Sequence, residues 1–476
     1  MRRLAALQKK ARRTLRMQTY DLIVIGSGPG GQRAAIQGAK AGKHVAMVEK
    51  QAAIGGVCIN TGTIPSKTMR EAVLHLSGFY SKTFYGSNYN VKENVTMADL
   101  NFRVQRVIEN EVAVTQDQLR RNGVDVMHGF GKFLDAHHLR VENGNGYSEL
   151  EGQYFVIATG TKPALNPKVP INGRTIIDSD QILTMPQIPR TLIVVGGGVI
   201  GVEYACMFAT LGVRVIMVEK RPRLLEFADT EMVEALTYHM RDHRATLRLN
   251  EEVESVEELP DGKVAANLVS KKRINGDALL YAVGRQGNVD KLDLAAAGIE
   301  SDDRGRIKVD ADFHTSQPHI FAVGDVIGFP SLASVSMEQG RIAAARAFGL
   351  QVQTDPESYP YGIYTIPQIS FIGKTEEQLT DADVPYEVGV AYYREIARGQ
   401  ITGHTDGRLK LLFHRETLEL LGVHIFGEDA AELLHIGQAV FKLKGKITYF
   451  INTVFNYPTL AECYKTAAFN GLNRLG

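Results

Sequence analysis

The chain has 476 residues, 44% of them hydrophobic, 22% charged and 46 of them glycine; it exceeds the roughly 250–300 residues at which one core stops growing, so two or three globular domains are expected. Its 54 Lys and Arg against 53 Asp and Glu leave a net charge of +1, which removes the electrostatic case for a nucleic-acid partner. Three cysteines make no disulfide framework and no apolar run approaches the roughly 20 residues needed to cross a bilayer, so a cytoplasmic protein with no membrane partner is expected.

Residues 1–16 are rich in Arg and Lys, contain no acid, and place Leu4, Leu7, Ala11 and Leu15 on one helical face. They read as a basic, solvated extension before a compact enzyme that starts near Met17, with an organelle presequence as the alternative. From residue 20 to 50 a buried strand (22–25) runs into GSGPGG, an Ala-rich helix and a second strand (44–48) ending in Glu49. This is a βαβ dinucleotide unit. The segment 55–67, GGVCINTGTIPSK, has the frame of a flavin-side redox disulfide, with Cys58 in the first thiol place and Thr63 in the second. No disulfide can form there, since two sulfurs must share a bond of about 2 Å.

A long amphipathic helix is expected over 97–122, and an antiparallel meander over 125–157 ending in YFVIATG. Residues 190–220 repeat the first unit, strand, GGGVIG, helix and strand, ending in Glu219. A helix over 227–243 and strands around an Asp-Gly turn within 251–269 follow. In FAVGDVIG at 321–328, Asp325 taken by itself reads as a turn aspartate capping a helix. From about residue 359 strands alternate with amphipathic helices and no third glycine fingerprint occurs, which marks another domain.

The two glycine turns carry the chemistry. In the first, Gly26 makes the tight turn, Gly28 lets backbone approach a pyrophosphate, and Gly31 lets helix and strand pack closely. The helix start offers N–H groups and a positive dipole end to the phosphates, and Glu49 accepts hydrogen bonds from an adenosine ribose. Gly196, Gly198 and Gly201 repeat this for a second dinucleotide. There Glu219 suits a ribose 2′-hydroxyl and repels a 2′-phosphate, whereas Lys220, Arg221 and Arg223 attract one, so NAD and NADP both remain open.

GSGPGG with Glu49, ATG at 158–160, GGGVIGVE at 196–203, AVGR at 282–285, AVGD at 322–325 and YPTLAE at 457–462 stand in the order found in a known family. From about residue 20 to the end the chain resembles the two-dinucleotide flavoprotein disulfide reductases, the group of dihydrolipoamide dehydrogenase and glutathione reductase. The resemblance implies an α/β fold with two Rossmann-like dinucleotide domains and a C-terminal α+β dimerisation domain. It places the FAD domain at 17–160 and 286–350, the NAD(P) domain at 161–285, and the C-terminal domain of a homodimer or higher homo-oligomer at 351–476. It implies FAD contacts at Gly26, Gly28, Gly31, Glu49, Lys50, Gly55, Gly56, Val57, Cys58, Lys67, Gly160, Asp325 and Ala333. NAD or NADP contacts fall at Gly196, Gly198, Gly201, Glu219, Arg221, Arg223 and Gly284, and no metal is expected. Lys67 and Glu203 would pair beside the flavin and nicotinamide, as the catalytic pair.

Two departures from the family bear on function. Thr63 replaces the thiol that would face the flavin, and Tyr457 stands in place of the histidine that would protonate a leaving thiolate. Glu462, which would orient that histidine, then reads as a helix N-terminal carboxylate, and Cys58 as a small buried residue. Within the family the pattern resembles the Si-specific pyridine nucleotide transhydrogenases. The activity implied is NADPH + NAD⁺ ⇌ NADP⁺ + NADH, with NAD(H) and NADP(H) as substrates and hydride relayed through flavin N5 in a ping-pong cycle. The alternatives are a quinone or small-oxidant reductase (diaphorase) on the same fold and a redox-sensing flavoprotein.

Overall fold

The computed structural model describes residues 17–144, 146–353 and 355–476; the expected basic extension 1–16 lies outside them. The described residues within Met1–Ile64, Val107–Lys162 and Arg285–Thr354 form one compact unit, and those within Pro65–Arg106, Pro163–Gly284 and Asp355–Gly476 form another.

In the first unit Gln18–Ile25 pairs in parallel with Val45–Glu49 on one side and with Gly146–Ile157 on the other. Leu22, Ile23, Val24 and Ile25 are buried, as a parallel strand covered on both faces requires. The long strand Gly146–Ile157 pairs antiparallel with His138–Asn143 through its first half and parallel with Ile320–Ala322 through its last residues, which returns the later chain to this sheet. The helix Pro29–Lys40 begins with proline at its first turn, where the missing N–H costs nothing. It packs on the helix Ala333–Ala347 backbone to backbone: a Cβ on Gly340 would stand 2.0 Å from the Gly30 carbonyl oxygen.

The meander expected over 125–157 holds for Phe130–Phe133, His138–Asn143 and Gly146–Ile157. Asp125–His128 departs from it and pairs in parallel with Val45–Glu49. The chain reaches it from the 25-residue helix Met97–Arg121, and a helical crossover delivers a parallel strand. The helix itself lies within the range expected for it.

The second unit repeats the glycine-turn arrangement. Thr246–Leu249, Arg214–Glu219, Thr191–Val195, Ala278–Tyr281 and Ile176–Asp178 form a five-stranded parallel sheet in that order. Val253–Glu258 and Val264–Leu268 are the expected antiparallel strands about the Asp261–Gly262 turn. Residues 361–427 supply a five-stranded antiparallel sheet, backed by the helices Ala430–Lys442 and Glu462–Leu472 over a core that includes Tyr393, Phe413, Phe450 and Tyr464. The helix expected over 227–243 runs from Thr230 to Asp242, with Asp229 as its N-cap. Lys410, buried in the antiparallel sheet, reaches Asp229 at 2.9 Å and Glu231 at 3.1 Å and also meets Glu376. The α/β fold with two dinucleotide units and a C-terminal α+β portion is the one expected.

Candidate functional site

The two glycine turns are built alike. Gly26 has φ +105° and Gly196 has φ +110°; a Cβ would lie 2.4 Å from the Ala158 carbonyl oxygen in the first and 2.6 Å from that of Ala282 in the second. Only glycine fits such a place. Gly31 and Gly201 each face the carbonyl of the turn's own first glycine, at 1.9 and 2.0 Å from an added Cβ, so each fixes helix against strand. Gly28 and Gly198 differ: nothing of the protein lies within 4 Å of a Cβ there. Their place is open toward whatever the turn holds, at helix starts that no side chain caps. Gly160 (φ +63°) and Gly284 (φ +79°) are a second matched pair, each following a central parallel strand and each with open space beyond it.

Around the first turn, Glu49 is buried. It accepts from the Ser27 hydroxyl at 2.6 Å, the Ser27 amide at 3.0 Å and the Gln51 amide at 2.8 Å. The Ser27 hydroxyl in turn accepts from the Gly55 amide at 2.8 Å, tying segment 55–60 to the turn. Gly55 (φ +111°) and Gly56 (φ +59°) both need glycine's freedom, and a Cβ on Gly56 would come within 3.0 Å of the Gly28 Cα. Val57 is exposed. Cys58 is half-buried, which corrects the expectation of a buried residue, since the short helix Gly56–Asn60 turns only Ile59 inward. Cys58, Cys206 and Cys463 are all thiols. Burial pushes the Cys206 and Cys463 thiols up to about 12, which makes them inert at neutral pH.

Lys50 carries a lowered pKa, first from burial and then from Lys162 and Lys291 nearby, against Glu49 and Asp290. Asp325 does not cap a helix: it lies inside the turn Gly324–Ile327, half-buried, and accepts from the Thr161 hydroxyl at 3.3 Å. Thr161 is held by Arg285, whose Nε donates to its hydroxyl at 2.8 Å and Nη2 to its carbonyl at 2.9 Å. Burial raises the Asp325 pKa against the pull of Arg285 and Thr161. Ala333 opens a helix with no side-chain cap. Among the described residues the buried hydroxyls of Thr61 and Thr159 in this unit have no hydrogen-bond partner in the protein. An open glycine, uncapped helix starts and unsatisfied buried hydroxyls fit a phosphate-bearing dinucleotide such as FAD.

In the second unit Lys67 Nζ lies 2.7 Å from Glu203 Oε2, with the Glu203 side chain only 4% exposed. The other oxygen, Oε1, accepts from the Tyr364 amide at 2.8 Å, and Lys67 Nζ sits 5.0 Å from the Tyr364 ring centroid. The ammonium is thus fixed between a carboxylate and an aromatic face. Sequence reading found Lys67 and Glu203 but missed Tyr364, which lies 161 residues from Glu203 and takes part through its backbone and its ring. Thr159 and Arg285 escaped it too, although they stand in ATG at 158–160 and AVGR at 282–285, and so did Thr161, the residue after ATG.

The basic residues after Glu219 do not converge. Arg221 lies on Glu219, Nε to Oε1 at 2.8 Å and Nη2 to Oε2 at 3.1 Å, while the Gly197 amide donates to Oε2. Burial raises the Glu219 pKa, but the Arg221 side chain, the Arg221 amide and the Gly197 amide outweigh it and leave it lowered. Lys220 pairs with Glu252 at 3.0 Å. Arg223 is turned aside, donating to the Glu226 carbonyl at 2.8 Å and to the Thr230 hydroxyl. Tyr457 is exposed, and Glu462 lies in the first turn of its helix, where it accepts from the Thr459 amide at 3.4 Å, as a helix-start carboxylate should.

Comparison with known proteins gives the family and the fold. Residues 20–340 match the pyridine nucleotide-disulphide oxidoreductases, and residues 359–468 match the dimerisation domain of the same group. The soluble pyridine nucleotide transhydrogenase of Mycobacterium tuberculosis is 52% identical over 461 residues, covering 96% of this chain and 98% of that protein. The one from Vibrio parahaemolyticus is 48% identical over 461 residues with the same coverage. Among solved structures, LpdA of M. tuberculosis has the same fold, with a TM-score of 0.88 at 24% identity over 97% of this chain and 100% of that one. The HOCl-induced flavoprotein disulfide reductase RclA of Escherichia coli gives 0.85 at 28% identity over 94% and 99%. With two open glycine turns, an ion-paired lysine and both halves of the chain matched, this protein belongs to the pyridine nucleotide-disulphide oxidoreductase family.

Proposed function

We propose that this chain is an FAD-dependent, Si-specific transhydrogenase that catalyses NADPH + NAD⁺ ⇌ NADP⁺ + NADH. One observation carries the reading: two complete dinucleotide turns and the Lys67–Glu203 pair occur in a chain with threonine at 63 and tyrosine at 457. The parts for handling two dinucleotides are present, while the second thiol and the imidazole needed to reduce a disulfide are replaced. Relatives named as soluble transhydrogenases, which match 96% of the chain, support the same reading.

FAD, when bound, supplies a group that takes a hydride from one nicotinamide and returns it to another. Gly28, in the turn that Gly26 and Gly31 shape, receives its pyrophosphate against the start of Pro29–Lys40, and Glu49 with Lys50 receives its adenosine ribose. Gly55, Gly56, Val57, Cys58, Gly160, Asp325 and Ala333 complete the contacts. Gly198 and Gly284 lie open to the nicotinamide dinucleotide, in a turn that Gly196 and Gly201 shape, with Glu219 and Arg221 at its ribose end and Arg223 turned away to Glu226 and Thr230. Lys67 holds a positive charge in place, and Glu203 keeps it there, so negative charge developing beside it is stabilised without reorganisation. No side chain needs to move a proton, because only hydride passes between two similar rings. This agrees with Thr63 and Tyr457 at positions released from sulfur chemistry. The FAD domain is assigned to 17–160 and 286–350, the NAD(P) domain to 161–285, and homodimer formation to 351–476, in a cytoplasmic enzyme. No helix among the described residues is long and apolar enough to cross a membrane.

The test is anaerobic steady-state turnover of the FAD-loaded protein with NADPH and thio-NAD⁺, run beside lipoamide, glutathione disulfide and a benzoquinone. Rapid thio-NAD⁺ reduction with parallel-line kinetics and no disulfide turnover is expected. Fast quinone reduction with negligible transfer to thio-NAD⁺ would overturn the reading in favour of a diaphorase.

A further inference from the structure

The second unit contains a cavity of about 440 Å³, within the roughly 300–1,000 Å³ of small-molecule sites. The C-terminal ends of Val199–Thr210 and Thr230–Asp242, the segment 79–87 and the loop 403–406 line it, and neither glycine turn, Glu219 nor Lys67 does. It is separate from the dinucleotide machinery described above.

Five rings face it. His239 and His243 stack with centroids 4.1 Å apart, Phe79 lies 5.3 Å from His243, and Tyr80 lies 4.2 Å from His404. A slot with so many flat faces suits a flat ring.

Its charges point to an anion. Two of its carboxylates are matched from within: Glu428 Oε2 accepts from Arg70 Nη2 at 2.6 Å and from the Tyr80 hydroxyl at 2.5 Å, and Asp406 Oδ2 stands 3.6 Å from His239 Nδ1. The third, Asp242, is exposed. Against it stand Lys82 and Arg244, neither with a carboxylate partner among the described residues.

Arg244 adds a backbone observation. It has φ +68° and closes the helix Thr230–Asp242, its amide donating to the Arg241 carbonyl at 3.3 Å while Ala245 donates to Met240 at 3.0 Å. Glycine is the inexpensive residue at such a place. An arginine there carries backbone strain that a glycine would not and brings a guanidinium to the cavity.

We propose that this cavity binds a flat aromatic anion, its ring between Phe79–His243 and Tyr80–His404 and its carboxylate or phosphate at Arg244 and Lys82. The inference rests on the cavity alone and stands apart from the assigned reaction. Calorimetric titration of the FAD-loaded full-length protein, saturated with NADP⁺ to fill the second glycine turn, tests it with three probes: 2-naphthoate, 2-naphthyl phosphate and neutral 2-naphthol. One site per chain is expected for at least one anion with Kd below about 1 mM, and whichever anion binds more tightly identifies the group. The naphthol should bind at least tenfold more weakly. Arg244→Gly, which suits the backbone, should leave Tm unchanged or raised and weaken the anion at least tenfold. Lys82→Gln, away from that strained position, should weaken it as well and decides the matter if Arg244→Gly unfolds. No saturable anion binding, equal affinity for the naphthol, or undiminished binding by a folded Arg244→Gly or Lys82→Gln protein would overturn the proposal.

Discussion

The Arg221 guanidinium covers the Glu219 carboxylate from the side, 2.8 Å from one oxygen and 3.1 Å from the other, and so masks the charge that would repel a 2′-phosphate. The same arginine is the nearest cation for that phosphate, because Lys220 and Arg223 are engaged elsewhere. Arg221→Ala should therefore raise KM for NADP(H) about ten- to a hundredfold, the loss of a charged hydrogen bond of about 1.5–3 kcal/mol. KM for NAD(H) should change by less than about threefold. Glu219→Gln should act in the opposite sense, raising KM for NAD(H). Steady-state KM values for all four nucleotides check both, and an equal shift for NAD(H) and NADP(H) would refute the account.

Lys67 is held by Glu203 at 2.7 Å and faces the Tyr364 ring. Lys67→Met should lower kcat by about a hundredfold, the scale of one preorganised charge-stabilising group, with FAD content unchanged by absorbance. Tyr364→Leu keeps the backbone bond to Glu203 and should lower kcat only several-fold. If Lys67→Met kept full turnover, the ion pair would be structural.

Thr63→Cys should restore a second thiol without restoring disulfide reduction, since Tyr457 supplies no imidazole for the leaving thiolate. Turnover of glutathione disulfide should stay at background in Thr63→Cys. Any activity should first appear in Thr63→Cys/Tyr457→His. Brisk turnover by the single variant would show that another acid is in reach.

Lys410 is buried against Asp229, Glu231 and Glu376. Lys410→Met leaves Asp229 buried without its cation and should cost about 3–5 kcal/mol, read as a lower urea midpoint at unchanged m-value. Burial lowers the Lys410 pKa, but Asp229 and Glu376 more than reverse it, so it is raised overall. Its stabilising contribution is complete below the ordinary lysine pKa of about 10.4 and is lost only as pH rises through the higher folded value. Between pH 7 and 9 the midpoint difference between the two proteins should stay constant.

His424 is fully buried, its Nε2 2.8 Å from the Lys374 carbonyl, and burial lowers its pKa. His404 is lowered by burial as well. Both are neutral in the folded protein, and the unfolded chain takes up their protons first. The stability they permit is present above the unfolded histidine pKa of about 6.5 and declines as pH falls through the folded values. Tm should be flat from pH 7 to 8 and fall below about pH 6.5, with a smaller fall in His424→Gln. An unchanged acid limb in that variant would remove His424 from the explanation.

Much of the fold was legible because its signals are local. A buried apolar strand, a glycine turn and an Ala-rich helix lie within about thirty residues, and Gly26, Gly31, Gly196 and Gly201 are required by contacts inside that span. The strand Asp125–His128 was misplaced because alternation specifies a strand but not the neighbour it joins, and the preceding crossover decided that neighbour. Cys58 was read as buried because its residue type favours burial, whereas a five-residue helix turned Ile59 inward instead.

The order of residues by itself determined two dinucleotide turns, an acid after each, and the replacement of the second thiol and of the histidine. These are matters of residue type and short spacing, where backbone geometry leaves few alternatives. Only the tertiary structure decided that Arg221 rather than Arg223 covers Glu219, that Tyr364 completes the surroundings of Lys67, and that the rings of Phe79, Tyr80, His239, His243 and His404 line one cavity. Hydrogen-bond direction and ring contact act over a few ångströms, and residues brought that close by folding can lie more than a hundred positions apart in the chain.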